Sequence, residues 1–480
     1  MNNKRLFYMA FFSAALAGCS VSPDYERPVT ELPDTWRAAP AQGQAVPADM
    51  WWSLYGDATL DRLVTEALNH NQDLALATAR VDEARALARV VDSNLVPAVD
   101  ANFQRDRTQS SERSSIPLPP TVPLERNSYR AQLNVSYEVD LWGRLRNSSK
   151  AALAELLATT AARETVRIAL TADVVKSYYT LIALDTQIDS TRRSLSLRAN
   201  DLGLQRIRAD AGLINEFTLR QLEAEVAAAQ AQLPVLERNR TGEELALGVL
   251  LGRNPRALIN DAVTRNSTRG TPVAPVVPAD LPSSLLLRRP DVAAAEQRLI
   301  AANARIGAAR AALFPRIGLT GYLGSDSAEL SNLFTGPALI WQLGFALTQP
   351  IFQGGRLFGE IEAVEARERQ LLAQYQKTLQ TAFFETNVAL VTQVKAREVF
   401  DAENTRASAL DESLRLARIR YVNGLTSQLE VLDAERNLLN AELNRADALR
   451  AQRAAIADVV KALGGGWGGL ATADAATPKN

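Results

Sequence analysis

The chain repeats itself at long range. Leu141-Trp-Gly-Arg-Leu145 matches Gln353-Gly-Gly-Arg-Leu357 at an offset of 212 residues, and Ile207-Arg-Ala-Asp-Ala-Gly212 matches Ile419-Arg-Tyr-Val-Asn-Gly424 at the same offset. Asn94-Leu-Val-Pro97 pairs with Ala312-Leu-Phe-Pro315, here at 218. Two tandem copies of one unit therefore make up most of the sequence. Each copy joins alternating strands to helices too long for an ordinary globular core.

Helical periodicity opens after Asp57, a good cap, and runs to about Asn94 before Pro97 stops it. Val99, Ala101 and Phe103 then alternate with polar residues, and a polar loop follows from Arg105 to Arg126. A second strand places Tyr129, Ala131, Leu133, Val135, Tyr137 and Val139 on one face and Arg130, Gln132, Asn134, Ser136, Glu138 and Asp140 on the other. Arg144 to Ala211 contains no proline, and such a run spans roughly 100 Å as a continuous helix. Gly212 breaks it, Glu216 or Thr218 reopens it, and the returning limb continues to Gly252 with a local bend expected at Pro234. Copy two repeats the plan: a helix over Asp291 to Leu313, strands over Ile317 to Leu323 and Trp341 to Leu347, a long helix from Arg356 to Tyr421, a break at Gly424, and a return over Ser427 to Leu463. The second tip carries Leu425, Leu429 and Leu432 beside charged residues, as the first carries Leu195, Leu202, Leu204 and Ile207. Such stripes suit lateral coiled-coil packing.

At the start, Lys4 and Arg5 precede an apolar run from Leu6 to Ala17, which reads as a secretory signal too short to span a membrane. It ends in Leu16-Ala-Gly-Cys19, similar to the small-residue pattern after which a bacterial lipoprotein is cut and acylated; Cys19 is the only cysteine among 480 residues. Ser20 follows instead of the aspartate that retains lipoproteins at the inner membrane, so the outer membrane is the expected destination. Ser22 to Asp49 is proline-rich and reads as an extended arm, and Met50-Trp-Trp-Ser-Leu-Tyr55 as ordinary packing where the arm meets folded structure. Lys plus Arg is 53 against 54 for Asp plus Glu, which gives no case for nucleic-acid binding. One His and one Cys leave little for a zinc site, and His70 is assigned no role. No phosphate-binding glycine motif occurs, and no catalytic triad emerges.

Four strands with one polar and one apolar face cannot close a barrel alone, because two edges would stay unsatisfied in lipid. Three copies would supply twelve strands and twelve helical limbs around one passage. A self-sufficient porin needs no hairpins of this length, and a structural coiled-coil lipoprotein leaves the strands unexplained.

The whole chain from Cys19 onward resembles the outer membrane factors, the TolC-like and especially OprM-like lipoprotein channels of tripartite efflux systems. The resemblance rests on Leu16-Ala-Gly-Cys19, Trp51-Trp-Ser-Leu-Tyr55, Tyr137-Glu-Val-Asp-Leu-Trp-Gly-Arg144, Arg288-Arg-Pro-Asp-Val-Ala-Ala-Ala-Glu296, Ala308-Ala-Arg-Ala-Ala-Leu-Phe-Pro315, Pro350-Ile-Phe-Gln-Gly-Gly-Arg356 and Val431-Leu-Asp-Ala-Glu-Arg436 in that order and spacing. It implies a mixed α/β membrane protein, a homotrimer whose twelve-stranded β-barrel is continued by a twelve-helix barrel, with an internal two-fold repeat. It also implies a periplasmic adaptor at the helical tips, an inner-membrane efflux pump supplying the energy, outer-membrane lipid around the barrel, no covalent reaction, and no cofactor beyond a lipid on Cys19. The organisation expected is a signal peptide over 1–18, an anchored arm over 19–59, repeat 1 over 60–252, an equatorial connector over 253–290, repeat 2 over 291–463 and a flexible tail over 464–480.

Leu429 and Asp433, four apart, share a helix face near the second tip, and the resemblance makes them the apolar and acidic rings of a periplasmic gate; the bland alternative is a solvated aspartate beside a core leucine. Arg206, Arg208, Asp210, Arg418, Arg420 and Asn423 are candidates to hold the tips together. Gly212 and Gly424, with Leu213 and Leu425 beside them, mark the turns expected to dock the adaptor. Gly143, Gly354 and Gly355 stand where strands become helices and are expected to let the sheet turn. The loops over 105–127 and 324–337 are expected to face outside the cell.

Overall fold

The computed structural model describes residues 21–29, 50–113, 115, 119, 121–260, 263, 265 and 283–465. Cys19, the signal segment, most of the connector and the tail beyond 465 lie outside the described residues. In chain order the elements are α1 (Ala58–His70), α2 (Gln72–Asp92), β1 (Ala98–Gln109), β2 (Glu125–Val139), α3 (Arg144–Asp210), α4 (Glu216–Leu250), α5 (Pro255–Asn260), α6 (Pro290–Ala311), β3 (Arg316–Ser327), β4 (Leu339–Thr348), α7 (Arg356–Val422) and α8 (Gln428–Ala462). Helices α3 and α7 have 67 residues each and α4 and α8 have 35 each, and every boundary in the second pair of limbs stands 212 residues after its counterpart. The same spacing recurs in three pairs of positive-φ glycines, Gly143 and Gly355, Gly212 and Gly424, Gly252 and Gly464.

Two compact units divide the described residues. One gathers the arm up to Val29 with 80–160 and 294–376, and contains the sheet. Its four strands run antiparallel in the order β1-β2-β3-β4, so β1 and β4 each have a neighbour on one side only. Register carries the alternation across all four strands: Val99, Val135, Gly321 and Leu343 form one row, and Ala101, Leu133, Leu323 and Trp341 the next. These positions share a face because side chains alternate with period two, and Val99, Phe103, Leu133, Trp341, Leu343 and Phe345 are all exposed on it. On the other face Asp100, Asn134, Tyr322 and Gln342 line up, and Arg130 pairs with Asp326 at 2.6 Å. Among the described residues no apolar layer covers the exposed apolar face.

The strands are longer than their alternation predicts. β1 continues through Gln109 and β2 begins at Glu125, so the connection covers 110–124 and not 105–126 or 105–127. The reason is cross-strand pairing: Arg107 reaches Glu125 at 2.5 Å and the Arg105 guanidinium sits 5.6 Å above the Tyr129 ring. Likewise β3 extends to Ser327, which shortens the other expected loop, over 324–337, to 328–338. Where β2 gives way to α3, the Asp140 carboxylate caps the helix by accepting from the Leu145 and Arg146 amides at 3.0 and 2.8 Å. Trp142 stacks on Phe314 and donates to the Pro315 carbonyl at 2.8 Å, so the two turns below the sheet are pinned together.

The second unit gathers the described residues of 50–79 with 161–293 and 377–465. Trp51, Trp52 and Tyr55 are buried, as the packing reading expects, and the Tyr55 hydroxyl donates to the Arg453 carbonyl at 2.8 Å. Asp57 caps α1 through the Thr59 amide at 2.8 Å. The single helix expected to run to Asn94 is broken at Asn71, whose side chain caps α2 through the Leu74 amide at 3.0 Å. No proline or glycine marks that break. α4 runs through Pro234 as one helix. Near the tips, Leu202, Leu222, Val226 and Leu432 form a core with Leu195 and Leu219, and Leu414, Val431 and Ala434 form another. Leu204 and Ile207, expected in the same stripe as Leu202, are exposed; two residues along a helix is about 200° of rotation, so Leu204 points nearly opposite.

Candidate functional site: the hairpin tips

The tips are built by two matching helix terminations. At the end of α3, the Gly212 amide donates to Ala209 and the Leu213 amide to Arg208, each at 2.8 Å; at the end of α7, the Gly424 amide donates to Tyr421 at 3.0 Å and the Leu425 amide to Arg420 at 2.8 Å. This double bond pattern requires a left-handed residue, and Gly212 and Gly424 supply it at φ of 68° and 72°. Asn215 then reopens α4 by accepting from the Thr218 amide at 2.9 Å. The turns present apolar side chains to solvent: Leu213, Phe217, Val422 and Leu425 are all at least two-thirds exposed.

The six tip residues separate into different roles. Arg206 meets Glu223 at 3.0 Å and so ties α3 to α4 within the first hairpin; Arg220 and Arg206 together hold the Glu223 carboxyl below its usual range. Arg418 meets the buried Glu435 at 2.7 Å and does the same within the second hairpin. Arg208 crosses between hairpins, donating to the Tyr421 hydroxyl at 3.0 Å, where Gln205 also donates at 3.1 Å. Asn423 instead caps its own helix, giving its amide to the Ile419 carbonyl at 2.7 Å. Asp210 is exposed, and among the described residues the side chains of Asp210 and Arg420 have no ion-pair partner. Tyr421 is the residue the tip candidates missed. Its signal was a break in the repeat, because Ala209 occupies the matching place in the first copy.

Leu429 and Asp433 lie one turn apart on α8 and both are about half exposed. They line a cavity of about 1030 Å³ between α4, α7 and α8, with Glu225, Glu412, Arg420 and Arg436. Asp433 is not bare: it accepts from Arg436 and, at 3.1 Å, from Asn437. Arg436 also faces Glu225 at 3.8 Å, and Glu225 accepts from the buried Arg198 at 2.9 Å. The result is an alternating chain of charge from Arg198 to Asp433. Away from the tips, Gly143, Gly354 and Gly355 take φ of 78°, 58° and 83° at the two strand-to-helix turns.

Among the described residues no three His, Cys, Asp or Glu side chains converge as a metal site, and no helix is long and apolar enough to cross a membrane. The arrangement offers charged and hydrogen-bonded contacts between helices.

Comparison with known proteins gives one consistent result. The family described as Outer membrane efflux protein matches residues 63–253 and 281–465. The chain is 36% identical over 461 residues to the outer membrane protein OprJ of Pseudomonas aeruginosa, covering 94% of each, and 34% identical over 462 residues to the solvent efflux pump outer membrane protein SrpC of Pseudomonas putida, covering 94% of this chain and 96% of that one. Among solved structures it is similar to the Campylobacter jejuni CmeC outer membrane channel, with a TM-score of 0.86, 25% identity and coverage of 94% and 95%. It is also similar to the open state of the Neisseria gonorrhoeae MtrE outer membrane channel, with a TM-score of 0.82, 31% identity and coverage of 93% and 98%. The paired helical limbs, the one-faced sheet and these likenesses over nearly the full length agree, and the chain belongs to the outer membrane efflux protein family.

Proposed function

We propose that this chain is the outer-membrane exit duct of a tripartite efflux system, passing small molecules from an inner-membrane pump and a periplasmic adaptor to the exterior. The observation that carries the reading is the four-stranded sheet with an exposed apolar face, a polar reverse face and two open edges. In lipid such edges must be paired, and further copies of the same sheet are the partners that repeat its register. Three copies give twelve strands around a polar lumen and, from four long limbs each, a twelve-helix barrel that continues it. The homotrimer, the two-fold repeat within each chain and the adaptor at Gly212, Leu213, Gly424 and Leu425 are parts of this proposal. So are the signal peptide over 1–18 and a lipid on Cys19. The duct catalyses no covalent step, and it needs no cofactor.

Export of a fluorescent dye from cells tests the reading. Removing this chain raises dye accumulation, and removing the adaptor raises it equally. Export that persists without the adaptor identifies a channel that works alone, and a detergent-purified protein of monomer mass removes the duct altogether.

A further inference from the structure

The short arm before Pro28 is held to the first unit by a buried charge. Glu296 on α6 is 7% exposed, and both of its carboxylate oxygens are taken by Arg27 of the arm, from Nε at 2.6 Å and from Nη2 at 3.0 Å. The Tyr25 hydroxyl donates to the same carboxylate at 3.4 Å. Tyr375 of α7 is fully buried nearby, and its hydroxyl has no hydrogen-bond partner among the described residues. Burial, and then the Glu296 charge, push the Tyr25 hydroxyl above its ordinary range.

A second contact lies upstream. A Cβ on Gly307 would come within 2.5 Å of the Ser22 Oγ and 2.7 Å of its Cβ, so the helix surface is bare where the arm passes. The spacing of the two contacts agrees: Ser22 to Arg27 is about 16 Å of extended chain, and Gly307 back to Glu296 is about 16 Å of helix. The arm therefore lies antiparallel along α6, with its upstream end toward β3.

We infer that residues 21–29 are a latch on α6, closed by the two-pronged Arg27–Glu296 pair, which fixes the register of the arm and ties the chain's upstream end to the helix that leads into the sheet. A bare carboxylate buried at Glu296 is costly, while Arg27 is half exposed and tolerates water, so the pairing serves the helix as much as the arm. The latch rests on the proposed function only in its purpose, which is to anchor the arm that follows the acylated Cys19 of that reading.

The test uses the full-length protein in detergent and chymotrypsin, which cuts after tyrosine. Cleavage of the Tyr25–Glu26 bond is followed by mass. Arg27→Glu is expected to speed that cleavage about tenfold or more, Arg27→Ala to speed it less, and Arg27→Glu combined with Glu296→Arg to restore protection. Both single variants change the arm and leave Glu296 unpaired on α6, so particle size and thermal midpoint are measured beside the cleavage rate, and the rates in particles of wild-type size decide the matter even where the double variant does not fold. Wild-type cleavage rates in Arg27→Glu and Arg27→Ala, in particles of wild-type size, overturn the latch, as does a folded double variant that stays fast. Lipid labelling of the same wild-type sample reports separately on Cys19: absence of label sinks the anchor reading and leaves the latch test intact.

Discussion

Asn71 gives its side-chain amide to the carbonyl of Leu250, the last residue of α4, at 2.9 Å. The matching carbonyl 212 residues later, Ala462 at the end of α8, is held differently: it accepts from the Arg289 guanidinium at 2.5 Å and from the Thr386 hydroxyl at 3.1 Å. Arg289 also reaches Asp291 at 2.8 Å and Glu385 at 2.7 Å. The two copies thus fasten the same backbone group, one with a neutral amide and the other with a buried charge. Truncating a neutral donor costs about 1–2 kcal/mol, whereas removing one partner of a buried ionic cluster costs about 3–5 kcal/mol, reduced here because Glu385 keeps access to water. Arg289→Ala is therefore expected to lower the thermal midpoint in detergent more than Asn71→Ala does. Equal midpoints would show that the charge adds nothing to the fastening.

Two glycines that end helical limbs with the same left-handed backbone should tolerate alanine unequally. Gly252 and Gly424 both take positive φ, but a Cβ on Gly252 would lie 2.0 Å from the His70 carbonyl oxygen, and one on Gly424 meets nothing within 4 Å. Left-handed backbone alone costs a non-glycine residue about 1–2 kcal/mol. Gly424→Ala should show only that cost as a modest drop in thermal midpoint, and Gly252→Ala a much larger drop or failure to assemble. Similar midpoints for the two would mean that α1 simply moves aside.

What could be read from sequence follows from which interactions are local. The limbs of α3, α4, α7 and α8 were legible to within a residue or two because long helix-forming runs, interrupted only by Pro234 in α4, end at Gly212, Gly252, Gly424 and Gly464, where backbone geometry demands glycine. The one-faced sheet was legible from period-two alternation. The far end of β1 was not, because Arg105, Asp106 and Arg107 carry charge on both faces and become strand only through partners on β2. The break at Asn71 was harder to see, since a capping asparagine inside an otherwise continuous helical pattern is its one local mark. At the tips, residue types pointed to charged contacts, but the pairing of Arg208 with Tyr421 depends on which helix faces meet, and periodicity does not encode that.

Stability should depend on acidity through Glu244. Burial pushes its carboxyl up, but the bonds from Arg265 at 2.8 Å and the Val263 amide at 3.0 Å outweigh it and hold the carboxyl below its usual range. A group depressed in the folded state stabilises above its unfolded value, about 4.3 for glutamate, and loses that contribution as pH falls through the folded value. Glu244→Gln is expected to be less stable than wild type at neutral pH, with the gap closing on acidification below about pH 4. Thermal midpoints measured from pH 7 to pH 3 check this; a gap of constant size would remove the Arg265 contact as its cause.

Tyr421 is the hydroxyl on which the two hairpins meet, since Gln205 and Arg208 of the first both donate to it. Tyr421→Phe keeps the ring and removes the acceptor, leaving two donors to find water; each such bond is worth about 1 kcal/mol. Reconstituted channels carrying this change are expected to conduct more at low voltage, with oligomer size and thermal midpoint close to wild type. Unchanged conductance would confine Tyr421 to packing.

The resemblance makes Asp433 the acidic ring of a gate, and its pairing with Arg436 changes what its removal should do. Around a three-fold axis the ring would carry three acid–base pairs, and each arginine has Glu225 as a second acceptor at 3.8 Å. Asp433→Ala then removes the carboxylates and lets Arg436 turn toward Glu225, which widens the ring and is expected to raise conductance while lowering preference for cations. Arg436→Ala leaves the carboxylates uncompensated, so cation preference should rise because a ring of like charge concentrates its counter-ion. Opposite shifts in reversal potential under a salt gradient are therefore the expected pair of results. If Asp433→Ala leaves conductance unchanged, or both variants shift the potential the same way, Leu429 and Asp433 line a solvated wall and not a constriction.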